Sequence, residues 1–184
     1  MSRSIHKVAV LGSGVMGSGI AAHFANIGLD VLMLDIVPFD LKEEEKSNPA
    51  ARNRIVNSSL KAAIKSKPAA FYDKGFSSRI QTGNFDDDFD KIKDADWIIE
   101  VILENLDIKK SLFERVDKVR KKGSLITSNT SSIPIHLMAE GRSEDFKAHF
   151  TGTHFFNPPR YMRLFEVIPT PETSKEVVGF FMNY

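Results

Sequence analysis

The chain has 184 residues, of which 42% are hydrophobic and 27% are charged, and it contains no cysteine. This composition is typical of a globular domain, and it excludes a disulfide framework and a thiol nucleophile. The net charge of +1 gives no general attraction to nucleic acid or to a membrane, and no long apolar stretch follows the N-terminus, so we expect a cytoplasmic protein without a signal peptide.

The first predicted elements form a βαβ unit. Residues 5–11 are a short apolar run rich in β-branched side chains, which predicts a buried parallel strand. Small and apolar residues at helical spacing predict a helix over 15–27, and Gly28 ends it. Residues 31–34 predict a second buried strand that ends in Asp35. Such a unit is parallel and right-handed.

Regularity is lost between residues 38 and 75, where we expect a helical excursion from the sheet. Residues 50–66 predict a helix with an apolar stripe, and residues 69–74 predict a further helical turn. The α/β alternation then resumes, with strands predicted over 79–82, 97–103, 124–128, 149–156 and 163–168, and helices over 106–121 and 173–184. We therefore expect a single domain over 1–184, an α/β fold with a doubly wound, mostly parallel sheet of the Rossmann type.

A GxGxxG motif separates the first strand from the first helix. Gly12 permits a tight turn, Gly14 lets a pyrophosphate approach the backbone, and Gly17 lets the helix pack closely on the strand. The N-terminus of the helix, at Val15 and Met16, offers free amides to the phosphates. Because the motif follows a strand and opens a helix, it predicts a dinucleotide site, with a simple tight turn as the alternative.

The choice of dinucleotide depends on Asp35. A carboxylate at this strand end accepts hydrogen bonds from the ribose hydroxyls of the adenosine and repels a 2′-phosphate. The next residues, Ile36 and Val37, supply no arginine for that phosphate. We therefore predict NAD rather than NADP as the cofactor. The alternative is that Asp35 is only a solvated strand-end residue.

Polar clusters follow two later strands, Ser128–Ser132 and His154–Pro158. In open parallel sheets such clusters meet beyond the carboxyl ends of the strands. Glu166, on a further strand, is a candidate partner for His154, since a catalytic histidine needs an acceptor that fixes its tautomer and balances its charge. From these residues alone, a catalytic base and a purely structural histidine–glutamate pair both stay open.

Four stretches together resemble the 3-hydroxyacyl-CoA dehydrogenase family. They are residues 8–35, Glu100–Asn105, Ser128–Ser132, and Gly152–Pro158 followed by Glu166-Val167. The resemblance covers nearly the whole chain, and the NTSS, HFFNP and LFEV patterns are more specific than the glycine motif. Residues 48–74 are most similar to the fused bacterial type, in which an enoyl-CoA hydratase part follows in the same polypeptide.

The resemblance implies an oxidoreductase of fatty-acid β-oxidation, which transfers a hydride between L-3-hydroxyacyl-CoA and NAD to give 3-oxoacyl-CoA. It implies that His154 is the general base and that Glu166 orients it and balances its charge. Ser131 would bind the substrate oxygen near the nicotinamide. Asn157 would help to hold the cofactor and the site.

The resemblance also implies binding residues outside this centre. Glu104 and Lys109 would contact the cofactor, although a plain surface acid and base is an open alternative. Ser59, Lys65 and Lys67, helped by Lys61, would bind the phosphates of CoA, with an ordinary solvated lysine face as the alternative. No metal is expected, because the other four histidines show no ligand spacing.

In the family, an all-helical domain follows the nucleotide-binding domain, builds much of a homodimer interface and supplies a catalytic asparagine. This chain ends in the middle of a predicted helix, so we expect a fragment that lacks that domain and turns substrate over poorly. Two other functions stay open. One is a dehydrogenase of free 3-hydroxyacids, which typically uses a lysine base. The other is a module that binds NAD or acyl-CoA without turnover.

Overall fold

A computed structural model describes residues 3–184 as a seven-stranded sheet covered by helices. The strands run in the order β3-β2-β1-β4-β5-β6-β7, and all neighbours are parallel except β6 and β7, which are antiparallel. This order confirms the predicted doubly wound sheet of the Rossmann type. The strands are β1 (Lys7–Leu11), β2 (Asp30–Asp35), β3 (Ile80–Asn84), β4 (Trp97–Glu100), β5 (Leu125–Ser128), β6 (Phe150–Phe155) and β7 (Phe165–Pro169).

Seven α-helices are described within residues 3–184, together with three short 3₁₀ segments. The helices are α1 (Val15–Asn26), α2 (Pro49–Arg52), α3 (Arg54–Lys65), α4 (Leu106–Val119), α5 (Ile135–Ala139), α6 (Glu144–Ala148) and α7 (Lys175–Asn183). The 3₁₀ segments are Glu43–Glu45, Lys74–Arg79 and Phe89–Asp94. In this part of the chain, none of the helices has the length and apolar character needed to cross a membrane.

The sheet separates two hydrophobic cores, because alternate side chains of the central strands point to opposite faces. On one face, α1, α3 and α7 pack around Trp97, whose ring centroid lies 5.0 Å from that of Phe24 and 4.9 Å from that of Phe181. On the other face, α4, α5 and α6 cover the strands, with Phe113 and Phe146 in contact. Helices therefore cover both faces of the sheet, and a ligand can reach the strands at their ends.

The helical excursion after β2 is confirmed in its main part. Helix α3 packs against α1 and against β2 and β3, and it buries Val56 and Ala63. The predicted helical turn over residues 69–74 is wrong. Residues 66–73 are irregular, because the Asn26 side chain donates to the Ala70 carbonyl at 2.9 Å and accepts from the Tyr72 amide at 2.9 Å. These backbone groups are thereby satisfied without helical hydrogen bonds.

Two strand boundaries and two short helices also differ from the sequence predictions. Strand β4 ends at Glu100 instead of residue 103, because the Glu100 carboxylate accepts from the Ile102 amide at 2.7 Å and turns the chain. Helices α5 and α6 were not predicted, since five residues are too few for a helical period. Strand β7 begins two residues later than predicted and pairs antiparallel with β6.

Candidate active site

The glycine loop after β1 has the geometry that a dinucleotide phosphate needs. Gly12 has φ of +107°, and a Cβ there would lie 2.5 Å from the Val101 carbonyl oxygen. A Cβ on Gly17 would lie 1.9 Å from the Gly12 oxygen, so the loop closes tightly on α1. A Cβ on Gly14 would meet nothing within 4 Å. The loop is thus fixed on its inner side and open at Gly14, in front of the N-terminus of α1.

The open side of the loop exposes the start of α1. Val15 is 76% exposed, and Met16, the next residue, is partly buried against the core. Their amides belong to the first turn of a helix of 12 residues, where backbone N–H groups lack helical partners. This end of the helix suits a pyrophosphate, as predicted for both residues.

Asp35 lies at the end of β2, beside the glycine loop. One of its carboxylate oxygens accepts from the Ser13 amide at 2.6 Å and from the Ser13 hydroxyl. The other oxygen accepts from the Ile36 amide at 2.7 Å. The carboxylate is therefore held in place next to the loop where an adenosine ribose would lie.

The predicted His154–Glu166 pair is formed across the antiparallel edge of the sheet. The register of β6 and β7 sets the two residues directly opposite each other, and His154 Nδ1 lies 2.7 Å from Glu166 Oε2. The side chains are 20% and 45% exposed, respectively. With Nδ1–H donated to the carboxylate, the neutral ring presents the lone pair of Nε2, which is the form a base requires.

Two polar loops follow the neighbouring strands β5 and β6. Ser131 is exposed in the loop after β5, and that loop is tied to β6 because Asn129 Oδ1 accepts from the Phe155 amide at 2.8 Å. Asn157 begins the loop after β6 and lines a groove of about 320 Å³ together with Val15 and Lys67. The structure thus brings predicted cofactor and CoA residues to one groove.

The other predicted CoA residues are more dispersed. Lys65 is exposed and lies outside the lining of that groove, and Lys61 is exposed as well. Ser59 lies within 3.1 Å of the Ser13 hydroxyl, so it faces the glycine loop. Their roles in CoA binding stay predictions.

Glu104 and Lys109 belong to a network that is largely buried. Lys109 is 1% exposed, and its Nζ lies 2.6 Å from Glu100 Oε1 and 3.2 Å from Glu104 Oε2. Glu100, which is fully buried, also accepts from the Ser128 hydroxyl. Burial raises the pKa of Glu100, although Lys109 and Ser128 oppose that effect. The Lys109 ammonium is therefore enclosed by carboxylates, and its contact with a cofactor stays a prediction.

Glu104 connects this network to the loop that carries Ser131. It accepts from the hydroxyl of Thr130 and from that of Ser132, the latter at 3.0 Å. Burial would raise the pKa of Glu104, but these hydrogen bonds and Lys109 outweigh it and lower the pKa to about 2. The carboxylate is thus ionised at neutral pH and anchors both flanks of Ser131.

Residues 7–184 match one family model, described as the NAD binding domain of 3-hydroxyacyl-CoA dehydrogenase. The chain belongs to this family. It is therefore an NAD-binding domain of the 3-hydroxyacyl-CoA dehydrogenases, as the four sequence stretches predict.

Known members of the family are similar over almost the whole chain. A Bacillus subtilis protein named "Probable 3-hydroxyacyl-CoA dehydrogenase" is 54% identical over 98% of the chain, and the match covers 24% of that protein. A Rickettsia felis protein, whose name refers to a fatty acid oxidation complex trifunctional enzyme, is 40% identical over 97% of the chain and is also matched over 24% of its length. The chain thus spans about a quarter of these relatives, which include a protein named as a trifunctional enzyme, and the predicted enoyl-CoA hydratase part stays a prediction.

A solved structure gives the same result for the fold. The (S)-3-hydroxybutyryl-CoA dehydrogenase of Ralstonia eutropha superposes with a TM-score of 0.74 at 33% identity, and the match covers 98% of this chain and 59% of that one.

Sequence reasoning missed the burial of Glu100 and Lys109 and the backbone hydrogen bonds made by Asn129 and Arg160. The burial of Glu100 could have been predicted, because a carboxylate that ends an apolar strand needs a buried partner. The burial of Lys109 could also have been predicted, since Lys109 falls on the same face of α4 as Leu112 and Val116, which are both buried. The tethers made by Asn129 and by Arg160, on the loop after β6, left no signal, because their partners are backbone groups of distant segments.

Proposed function

We propose that the protein containing this chain oxidises L-3-hydroxyacyl-CoA with NAD. The observation that carries the proposal is the pair of His154 Nδ1 and Glu166 Oε2 at 2.7 Å, at the carboxyl end of β6. It leaves Nε2 free to take the proton of the substrate hydroxyl. The names of the relatives, which refer to 3-hydroxyacyl-CoA and to fatty acid oxidation, support the same substrate class.

The proposed reaction divides between the cofactor and the side chains. Bound NAD supplies the acceptor for the hydride that leaves the C3 carbon. His154 removes the hydroxyl proton as the hydride departs, and the Glu166 carboxylate stabilises the imidazolium that forms. Ser131 donates to the substrate oxygen, and Asn157 helps to hold the cofactor and the site. The alcohol loses one proton, which His154 takes, and one hydride, which goes to the cofactor.

The binding roles follow the same division. The glycine loop, Gly12 to Gly17, would hold the pyrophosphate of NAD and Asp35 its adenosine ribose, while Glu104 and Lys109 would contact the cofactor. Lys67 lines the groove and is suited to a CoA phosphate. Ser59 and Lys65 would extend that contact. The homodimer and the cytoplasmic location expected from the sequence stay predictions.

Two measurements test the proposal. The chain itself should bind NADH at least tenfold more tightly than NADPH, a difference of about 1.4 kcal/mol. Asp35→Ser should narrow that difference, while Asp30→Ser, at the exposed start of the same strand, should leave it unchanged. Equal binding of the two cofactors by the unmodified chain would overturn the cofactor assignment.

The second measurement is turnover. The full-length protein should reduce acetoacetyl-CoA with NADH, and the 184-residue chain alone should do so poorly, because water exclusion and transition-state donors come partly from outside it. A full-length protein that binds NADH and acetoacetyl-CoA without turnover would be a binding module. Turnover of free 3-hydroxyacids in place of the thioester would assign the other alternative.

A further inference from the structure

The loop after β6 is joined to the excursion by two side chains, and Arg160 makes most of the contacts. Its Nη1 donates to the carbonyl of Ala69 at 2.7 Å and to that of Phe71 at 2.9 Å. The guanidinium carbon lies 4.1 Å from the centroid of the Tyr72 ring, a stacked cation–π contact. The hydroxyl of Tyr161 also donates to the Ala69 carbonyl, at 3.1 Å. Two segments that are remote in sequence are therefore tied together beside the candidate active site.

The joined segments are the two walls of the groove. Asn157 to Arg160 form one wall and Ala62 to Ala70 form the other, with the first turns of α1 between them. The loop is also pressed against α1, because a Cβ on Gly19 would lie 3.1 Å from Pro159 Cδ. The contact with Gly19 fixes the distance of the loop from α1, and Arg160 fixes the distance of the loop from the opposite wall of the groove.

We propose that Arg160 is a positioning residue that sets the width of this groove for acyl-CoA. The proposal rests on the proposed function, since acyl-CoA is the ligand assigned to the groove. Guanidinium suits this task, because a planar group can donate to two carbonyls while its face stacks on a ring, and an ammonium cannot do both. The opposite wall has its own anchor, the two hydrogen bonds of Asn26 to Ala70 and Tyr72. Removal of Arg160 therefore loosens the loop, which keeps the Tyr161 hydrogen bond to Ala69, and leaves the opposite wall in place.

The test compares Arg160→Met and Arg160→Lys with the unmodified full-length protein. We expect Arg160→Met to raise the KM for acetoacetyl-CoA about tenfold, equivalent to about 1.4 kcal/mol. The KM for NADH should stay within about twofold, because the glycine loop and Asp35 are untouched. Arg160→Lys should restore part of the loss, since an ammonium can still donate to the carbonyls.

Arg79→Met is the matched control. Arg79 also donates to a backbone carbonyl, that of Ala25 at 2.7 Å, and stacks on the Phe76 ring at 4.3 Å, but it does not line the groove. It should lower the melting temperature without changing the KM for acetoacetyl-CoA. If Arg160→Met behaves in the same way, Arg160 is only structural and the proposal is wrong.

The same experiment separates this proposal from the proposed function. Absence of turnover in the unmodified full-length protein would contradict the proposed function alone. The dissociation constant of acetoacetyl-CoA, measured by calorimetry, would then replace KM. A roughly tenfold weaker affinity in Arg160→Met would support the positioning role, and an unchanged affinity would overturn it.

Discussion

Two contacts between a basic side chain and a carboxylate lie at the carboxyl ends of the strands, and they differ in their access to water. His154 and Glu166 meet at 2.7 Å with side chains that are 20% and 45% exposed. Lys109 and Glu100 meet at 2.6 Å with side chains that are 1% and 0% exposed. The two contacts are similarly short, but only the first can exchange a proton with a substrate.

Because the two pairs differ in burial, one is suited to proton transfer and the other to stabilising the fold. A solvent-exposed pair contributes only about 0–1 kcal/mol to folding, so the His154–Glu166 pair can change its protonation at little cost to the fold. A buried charge that loses its partner costs about 3–5 kcal/mol. The Lys109 network is therefore suited to fixing the strand ends and the loop around Ser131, and it is unsuited to proton transfer.

The largest expected effect is the loss of the exposed base. His154→Gln in the full-length protein should lower turnover of 3-hydroxyacyl-CoA by about 10²–10⁴-fold, because general-base positioning contributes that much to the rate. NADH affinity and the free energy of unfolding should change little. His149→Gln is the control, since His149 also lies near a carboxylate, Asp145, but precedes β6. Full turnover in His154→Gln would assign the base to another residue.

The next effect concerns the buried network. Lys109→Met should lower the free energy of unfolding by about 3–5 kcal/mol, because Glu100 would be left as an unpaired buried charge. Denaturant titration measures this change. The double variant Glu100→Gln/Lys109→Met should recover much of it, since no unpaired charge remains at Glu100. Equal stability of the single variant and the unmodified chain would contradict the assigned role of the network.

A smaller effect is expected at the partner of the base. Glu166→Gln should lower turnover about tenfold, less than His154→Gln, because the amide oxygen still orients the ring but no longer balances its charge. Loss of the negative charge removes the stabilisation of the imidazolium that forms when His154 takes the proton. A loss as large as that of His154→Gln would mean that orientation requires the carboxylate itself.

The same contrast explains what could be predicted from the sequence. The glycine loop and Asp35 lie within one short βαβ unit, and their spacing alone encodes the turn, the helix and the acid. The His154–Glu166 pair also follows from local patterns, because both residues lie on predicted strands. Its geometry did not follow, since the antiparallel register of β6 and β7 is a tertiary property.

Long-range hydrogen bonds account for the part that was missed. Arg160 binds carbonyls of the segment after α3, and a carbonyl has no sequence signature. The irregular course of that segment was missed for the same reason, because Asn26 in α1 satisfies its backbone. Lys109 could have been predicted to be buried from the period of α4, but a lysine on an apolar face is identified only when its carboxylate partners are known.

The smallest effect lies at the junction of the two regions, where Glu104 links the buried network to the exposed Ser131 loop. The pKa of Glu104 is about 2 in the folded chain, against an ordinary value of 4.5. Since the folded value is the lower one, the stabilisation is complete above about pH 4.5 and is lost as the pH falls toward 2.

The variant Glu104→Gln should therefore lose less of its free energy of unfolding than the unmodified chain as the pH falls through this range, as measured by urea unfolding from pH 7 to pH 3. The side chain is 38% exposed and water screens its contacts, so the change at neutral pH should stay below about 1 kcal/mol. Glu44→Gln, at an exposed position, is the control, and its free energy of unfolding should depend on pH as that of the unmodified chain does. Parallel curves for Glu104→Gln and the unmodified chain would show that Glu104 is not anchored by these contacts in solution.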